Sequence, residues 1–582
     1  MSFKIIVLIA SVLFINHATA WVSVGSSPGF GTCDFLTIQE AIDSNEGEIR
    51  VLNNQDFTEN LVIDHTVDIK GGYASCLSAS LDILSSTNTV IKGTAFLGSS
   101  VIEITATNSP IIRFYNLTLR DATDTIFVNG GHGIDIGNSN GLVQITDSLI
   151  SNNTAENGGG IFINNTIGDL RVVIINTRIL GNTASGQGGG IYCNENIFSS
   201  NSNVAISVRG LSLIEYNSAE DGGGIASSYG CSITIDSGVD FTPTSSHLGL
   251  ISNVASRYGG GIYLDGSSSL SLQGNTYGLG NILGNNIRPV TLAFNSANNH
   301  GGGIYAINGS TVEIIDGYLY FNKAITGSGG AVYLGDSTSS NVTFSMQSST
   351  TQCWQNGKCS IISNNSADGN VGGAIYVGGG ATAELHRTHI YGNTANFGTA
   401  LYISGPGTTA NLEGNYFYDN GYNGASSSAD QYVIRVNNSA SLSLIHNTIA
   451  DNDVDDSSAI IGIINGADLT IKNSIISNNP EDVFKETGSN TTDFSCVVAS
   501  DHTITGSLLF APNFVDSVNN NYHLTINSGA IDTCASASNL FLDTDNDARG
   551  LDVDNVNFNG PYDAGADEYT IKPELVFSDG FE

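Results

Sequence analysis

The chain has 582 residues, with 69 Gly and only 9 Pro, 13% charged residues and 40% apolar residues. So little charge beside so many apolar residues excludes a disordered chain, and no Gly-X-Y period marks a collagen. The formal net charge of −36 rests on only 19 Lys plus Arg; it repels nucleic acid and anionic membrane surfaces, and also polyuronates unless calcium bridges the two.

Residues 1–20 read as a secretory signal. Lys4 gives the positive start, Ile5 to Ile15 the apolar stretch, and Ala18-Thr19-Ala20 a small-x-small cleavage site before Trp21. No later run reaches about 18 apolar residues, so no helix of the mature chain is expected to span a membrane. The expected location is exported, extracellular or on a bacterial outer surface. Eight cysteines suit that oxidising setting. Their order suggests Cys33–Cys76, Cys193–Cys231, Cys353–Cys359 and Cys496–Cys534, with other connectivities open.

Residues 21–80 are read as an N-terminal cap and first coils. Thr37-Ile-Gln-Glu-Ala-Ile-Asp43 places Ile38, Ala41 and Ile42 on one helical face, with Thr37 as N-cap. This predicts a short helix that covers the open edge of the first coil.

Residues 81–480 carry the repeats. An [Ile/Leu]-x-x-Asn-x-Ala element starts at Ile150, Ile179, Ile214, Leu250, Leu292, Leu319, Ile362 and Ile390. A glycine cluster and an apolar strand follow each one, beginning at Ile161, Ile191, Ile225, Ile262, Ile304, Val332, Ile375 and Leu401, always 8 to 10 residues after the Asn. Weaker coils are read at Ile449–Asn452 and Ile475–Asn478. Alternation within the strands and strand starts 26 to 43 residues apart predict one coil of short β-strands per repeat. The fold expected is all-β, a right-handed single-stranded parallel β-helix of the pectin-lyase-like kind. Asn at one turn of successive coils can form a ladder, and the glycines allow positive φ or close backbone approach. Valine at Gly223 or Gly260 is expected to cost stability.

Residues 481–570 are read as C-terminal coils and an acidic closing segment, and 571–582 as a tail, Val-Phe577-Ser-Asp-Gly-Phe-Glu582, that is a candidate sorting tag. About 100 residues follow the last clear coil, fewer than the translocating barrel of an autotransporter is expected to need.

The Gly-Gly-[Gly/Ala]-Ile and [Ile/Leu]-x-x-Asn pairs resemble the repeats of polymorphic outer-membrane proteins, which usually carry Phe where this chain has Ile or Leu. The Thr-Ile-Gln-Glu-Ala-Ile opening is similar to pectin-lyase-like β-helices. Pro512–Asp516, Tyr522-His-Leu524, Ser528–Asp532, Asp543–Gly550 and Asp563-Ala-Gly-Ala-Asp-Glu568 resemble the closing segment of bacterial "choice-of-anchor Q" proteins. These resemblances imply an exported bacterial surface or extracellular protein and no established reaction.

Four sets of residues are candidate sites. Phe162, Tyr192, Tyr263, Tyr305, Tyr333, Tyr376 and Tyr402 recur one place after the strand start, so stacked coils align them on one outer face. Such a ladder is a candidate ligand-binding surface for a polysaccharide or surface glycan, or simply a stack that stabilises its sheet. Gly131-His132-Gly133-Ile-Asp135 resembles a polygalacturonase segment, and with Asp121 and Asp124 upstream gives weak catalytic candidates; Arg178-Ile-Leu180 lacks the expected Lys. Glu384, His386 and His389 form a loose metal-type grouping. Asp543, Asp545, Asp547 and Asp554 have the Asp-x-Asp-x-Asp spacing of a calcium loop, with Ala548 in place of its turn Gly. The reading favoured is a non-enzymatic secreted or cell-surface protein for adhesion, carbohydrate contact or envelope structure. The alternative is a polysaccharide lyase or glycoside hydrolase on the same scaffold.

Overall fold

The computed structural model describes residues 21–26, 32–94, 98–123, 130–137, 139–165, 168–195, 203–237, 249–277, 286–335, 341–349, 353, 358–421, 432–454, 459–477, 479, 482–499, 507–535, 542–550 and 560–570. The signal-like segment, the C-terminal tail, Asp124 and Asp554 lie outside the described residues.

A single coil shows how the repeat folds. Thr311–Ile315 buries Val312 and Ile314 and turns Thr311 and Glu313 outward. Asp316, at φ 55°, bends the chain into Gly317–Tyr320. Asn322 makes the next corner, Lys323–Ala324 the short third side, and a glycine turn leads into Val332–Leu334. Each strand pairs in parallel with its counterpart one coil on: Val312 with Phe344, Leu319 with Ile362, Ala324 with Ala367 and Tyr333 with Tyr376. Repetition builds a bent 29-stranded sheet, a 14-stranded sheet and an 8-stranded sheet. The result is the expected right-handed parallel β-helix. One continuous apolar core runs along its axis from Val24 to Val497.

The helix α1 (Ile38–Asp43) closes the first coil as the sequence predicts. Thr37 Oγ1 accepts from Glu40 N at 3.3 Å, and Ile38, Ala41 and Ile42 are buried. A second helix, α2 (Cys76–Ser80), is not foreseen by the sequence reading and is fastened by the Cys33–Cys76 disulfide. The other three suggested disulfides also form.

The corner asparagines form the ladder. Asn153, Asn182, Asn217, Asn253, Asn295, Asn322, Asn365, Asn393, Asn420, Asn452 and Asn479 are all buried. At each step the backbone N–H and the Nδ2 of one Asn donate to the Oδ1 of the next, as from Asn295 to Asn322 at 3.2 and 3.0 Å. Two register details differ from the sequence reading. Phe417-Tyr-Asp-Asn420 supplies an unforeseen rung, and the last rung is Asn479, because Ile449 pairs with Ile476 and not Ile475.

The turn glycines divide their work. Gly259 takes φ +63°, whereas a Cβ on Gly260 would lie 2.4 Å from the Gly302 carbonyl oxygen in the next coil. The first glycine supplies the left-handed bend and the second lets coils approach.

The last coil strand is Thr491–Ala499. Beyond it Leu508 makes a parallel bridge with Val498, and the described residues of the closing segment lie along the flank of the bent sheet. Asn520 Nδ2 donates to Asp419 at 2.9 Å, Arg387 donates to Asn546 at 2.6 Å, and Ala566 N donates to Thr448 Oγ1 at 3.0 Å. Cys496–Cys534 pins the segment's start to the final coil. Among the described residues, no helix is long and apolar enough to cross a membrane.

Candidate functional site

The aromatic ladder is real, but its rings cover one another. Phe162 stacks on Tyr192 at 5.6 Å, and Tyr263, Tyr305, Tyr333, Tyr376 and Tyr402 stack in sequence at 5.5, 5.0, 4.5 and 5.8 Å. Ala226 interrupts the row. Tyr258 and His300 pack onto Tyr305 from the side, and Tyr263 and Tyr305 are each only 7% exposed. The rings do line up on one outer face, where their own faces are used in stacking, and Phe162, Tyr192, Tyr333, Tyr376 and Tyr402 stay partly exposed.

His132 begins this stack. Its ring lies 4.7 Å from that of Phe162, its Nδ1 is 3.0 Å from the Gly158 carbonyl, and it is 1% exposed. Asp135 lies beside Glu103 in register, and burial, with help from Glu103, raises its carboxyl to about 7. Asp121 is exposed at the ladder corner, paired with Arg120 at 3.6 Å. The described members of the Gly-His-Gly set thus sit in a glycine turn, on a sheet and at a different corner, with no shared groove. Glu384 lies mid-strand and His386 ends the same strand, and the Arg387 bend, φ 51°, carries His389 onto the next.

The acidic loop differs from a linear calcium loop. Buried Asp543 accepts from Asp545 N and Asp547 N, both at 2.8 Å, and from Glu568 N at 2.9 Å. Its carboxylate organises the loop and joins it to the Asp563–Glu568 motif. Asp545 turns instead toward His523, 3.7 Å away, which is also 3.1 Å from Asp567.

Docking of the closing segment makes a cleft of about 330 Å³ that the sequence reading missed, bordered by Lys358, His389, Tyr416, Asp516, Tyr522 and His523. Lys358 Nζ donates to Tyr418 Oη at 3.1 Å and sits 5.2 Å over the Tyr418 ring and 5.9 Å over that of Tyr391. Burial pushes its ammonium below the usual lysine range. His389 stacks on Tyr416 at 4.9 Å. Burial, reinforced by Lys358 and His523, holds its imidazole neutral, and its buried Nδ1 has no hydrogen-bond partner among the described residues. Tyr416 and Tyr522 line the cleft and pack with Tyr418 behind them. No local spacing announces this site, since its residues come from three coils and a distant segment. The one available signal was Lys358 inside the Cys353–Cys359 loop of a chain poor in lysine.

Residues 176–194, which hold the Asn182 rung and the glycine turn before Ile191, match the family model of the Chlamydia polymorphic membrane protein (Chlamydia_PMP) repeat. No curated protein matches the chain. Fold and repeat together support a parallel β-helix that carries a repeat similar to that of polymorphic membrane proteins. That repeat type points to a surface or outer-membrane-associated protein.

Proposed function

We propose that this protein is an exported, surface-associated β-helix that binds glycan in the closing-segment cleft and does not cleave it. The observation that carries the reading is the Lys358 ammonium held over Tyr418 at the edge of a tyrosine-lined cleft. An ammonium suits a sugar carboxylate or sulfate, and the amides of Asn519, Asn520 and Asn521 along the cleft suit hydroxyls. The net charge of −36 opposes a dense polyanion. The ligand best fitted is therefore a largely neutral glycan with scattered acidic groups.

Purified protein passed over neutral, sparsely acidic and polyuronate matrices tests this. Retention is expected on the sparsely acidic glycan, with at least a tenfold weakening (about 1.4 kcal/mol) in Lys358→Ala. The Tyr263/Tyr305/Tyr333 triple alanine variant should retain the glycan. Equal retention of wild type and Lys358→Ala would reject the cleft, and loss in the triple variant alone would return the role to the ladder. A neutral imidazole at His389 beside the cleft also favours a second reading, a polysaccharide lyase with His389 as base. New chain ends released from the retained glycan would support it.

A further inference from the structure

We propose that His523, Asp545 and Asp567 bind one divalent transition-metal ion of the zinc or manganese kind. His523 Nδ1 stands 3.1 Å from Asp567 Oδ1 and 3.7 Å from Asp545 Oδ2, and the three donor atoms lie within 4.8 Å of one another. An ion bonded at about 2.0–2.2 Å holds neighbouring ligands roughly 3–3.5 Å apart, so small adjustments seat one among these atoms. Three separate stretches of the closing segment supply the ligands, and each is held in place. Asp567 uses Oδ2 to accept from Leu524 N at 2.7 Å, which leaves Oδ1 for the ion. Asp543 fixes the Asp545 backbone, and the Phe514–Asp516 and Asn521–Leu524 hairpin presents His523.

The donor chemistry narrows the ion. One imidazole with two carboxylates favours borderline ions over calcium, which takes an all-oxygen shell. A groove of about 190 Å³, also bordered by Asp547 and Thr570, leaves room for water to complete the coordination. The site keeps Asp545 of the calcium-type spacing seen in sequence and has His523 and Asp567 in place of Asp543, Asp547 and Asp554. It rests on this geometry and not on the glycan reading, although His523 borders both places.

Calorimetric titration of chelator-treated full-length protein with zinc, manganese and calcium chlorides tests the site without any glycan. One zinc or manganese ion per chain is expected, with calcium weaker, and at least a tenfold loss in Asp545→Asn and in His523→Gln. Asp545 and His523 are both partly exposed while Asp567 is buried, so both variants should fold, and His523→Gln is the second check. Absence of binding in the wild type, or affinity unchanged in both variants, overturns the assignment.

Discussion

Asn322 shows what one rung contributes. Its Oδ1 accepts from the backbone and side chain of Asn295, and its Nδ2 donates to the Leu292 carbonyl at 2.9 Å and to Asn365 Oδ1 at 3.1 Å. At 1% exposure, water replaces none of these partners. Asn322→Ala leaves buried amides of Asn295 and a carbonyl of Leu292 unpaired, at an expected cost of about 2–4 kcal/mol. A denaturation midpoint moved by less than about 0.5 kcal/mol would refute the ladder as a source of stability. Most rungs were legible because the Asn recurs with Ala and a glycine turn. Asn420 was missed because Gly421 and Tyr422 replace the rest of the element. Asn479 was misread as Asn478 because Ile475 and Ile476 are both buried, Ile476 in the core and Ile475 beneath the closing segment. A strand covered on both faces loses the alternation that sets register.

The closing segment is the element whose behaviour depends on pH. Arg549 is buried among Glu568 at 3.7 Å, the Ala566 carbonyl at 2.8 Å and His446 Nδ1 at 3.1 Å. Burial raises Asp543 to about 7, and burial together with neighbouring carboxylates holds the Asp563 and Glu568 pair above the usual carboxylate range. The docked segment therefore keeps protons that a released segment gives up, and docking weakens as pH rises through about 7. His446 acts in the opposite sense, since burial and Arg549 lower it to about 2; a released His446 gains a proton below about pH 6.5. Above that pH the carboxylates count, joined in the same sense by His523, whose imidazole the Asp567 carboxylate holds above its usual range. Hydrogen-exchange protection of residues 543–550 and 560–570, corrected for intrinsic rates, is expected to fall at least fivefold (about 1 kcal/mol) between pH 6.5 and 8.5. Constant protection would show that these acids are ionised when docked. This docking also explains why the cleft was illegible: Lys358, His389 and Tyr522 meet only after the segment folds back.

At the scale of the whole molecule, each coil contacts its two neighbours and little else, so stability accumulates coil by coil. The Asn295 and Asn322 rungs are 27 residues apart. Deleting residues 296–322 removes one coil between equivalent corners and should leave a folded, shorter protein with a modestly lower melting temperature. Deleting only 296–309 ends at a non-equivalent place and should unfold the flanking coils. Comparable melting of the two deletions would contradict the coil register. The architecture was legible because the same turn chemistry recurs in every coil, whereas the cleft occurs once and carries no repeated signal.

The ladder also fixes a distance. Eleven rungs from Asn153 to Asn479 make ten steps of about 4.8 Å, or roughly 48 Å along the axis. Coil number is therefore a ruler written into the gene. Gain or loss of one repeat upstream of residue 358 shifts the cleft by one rung relative to the α1 end, while the residues of both stay as they are. Reach and recognition can then change independently.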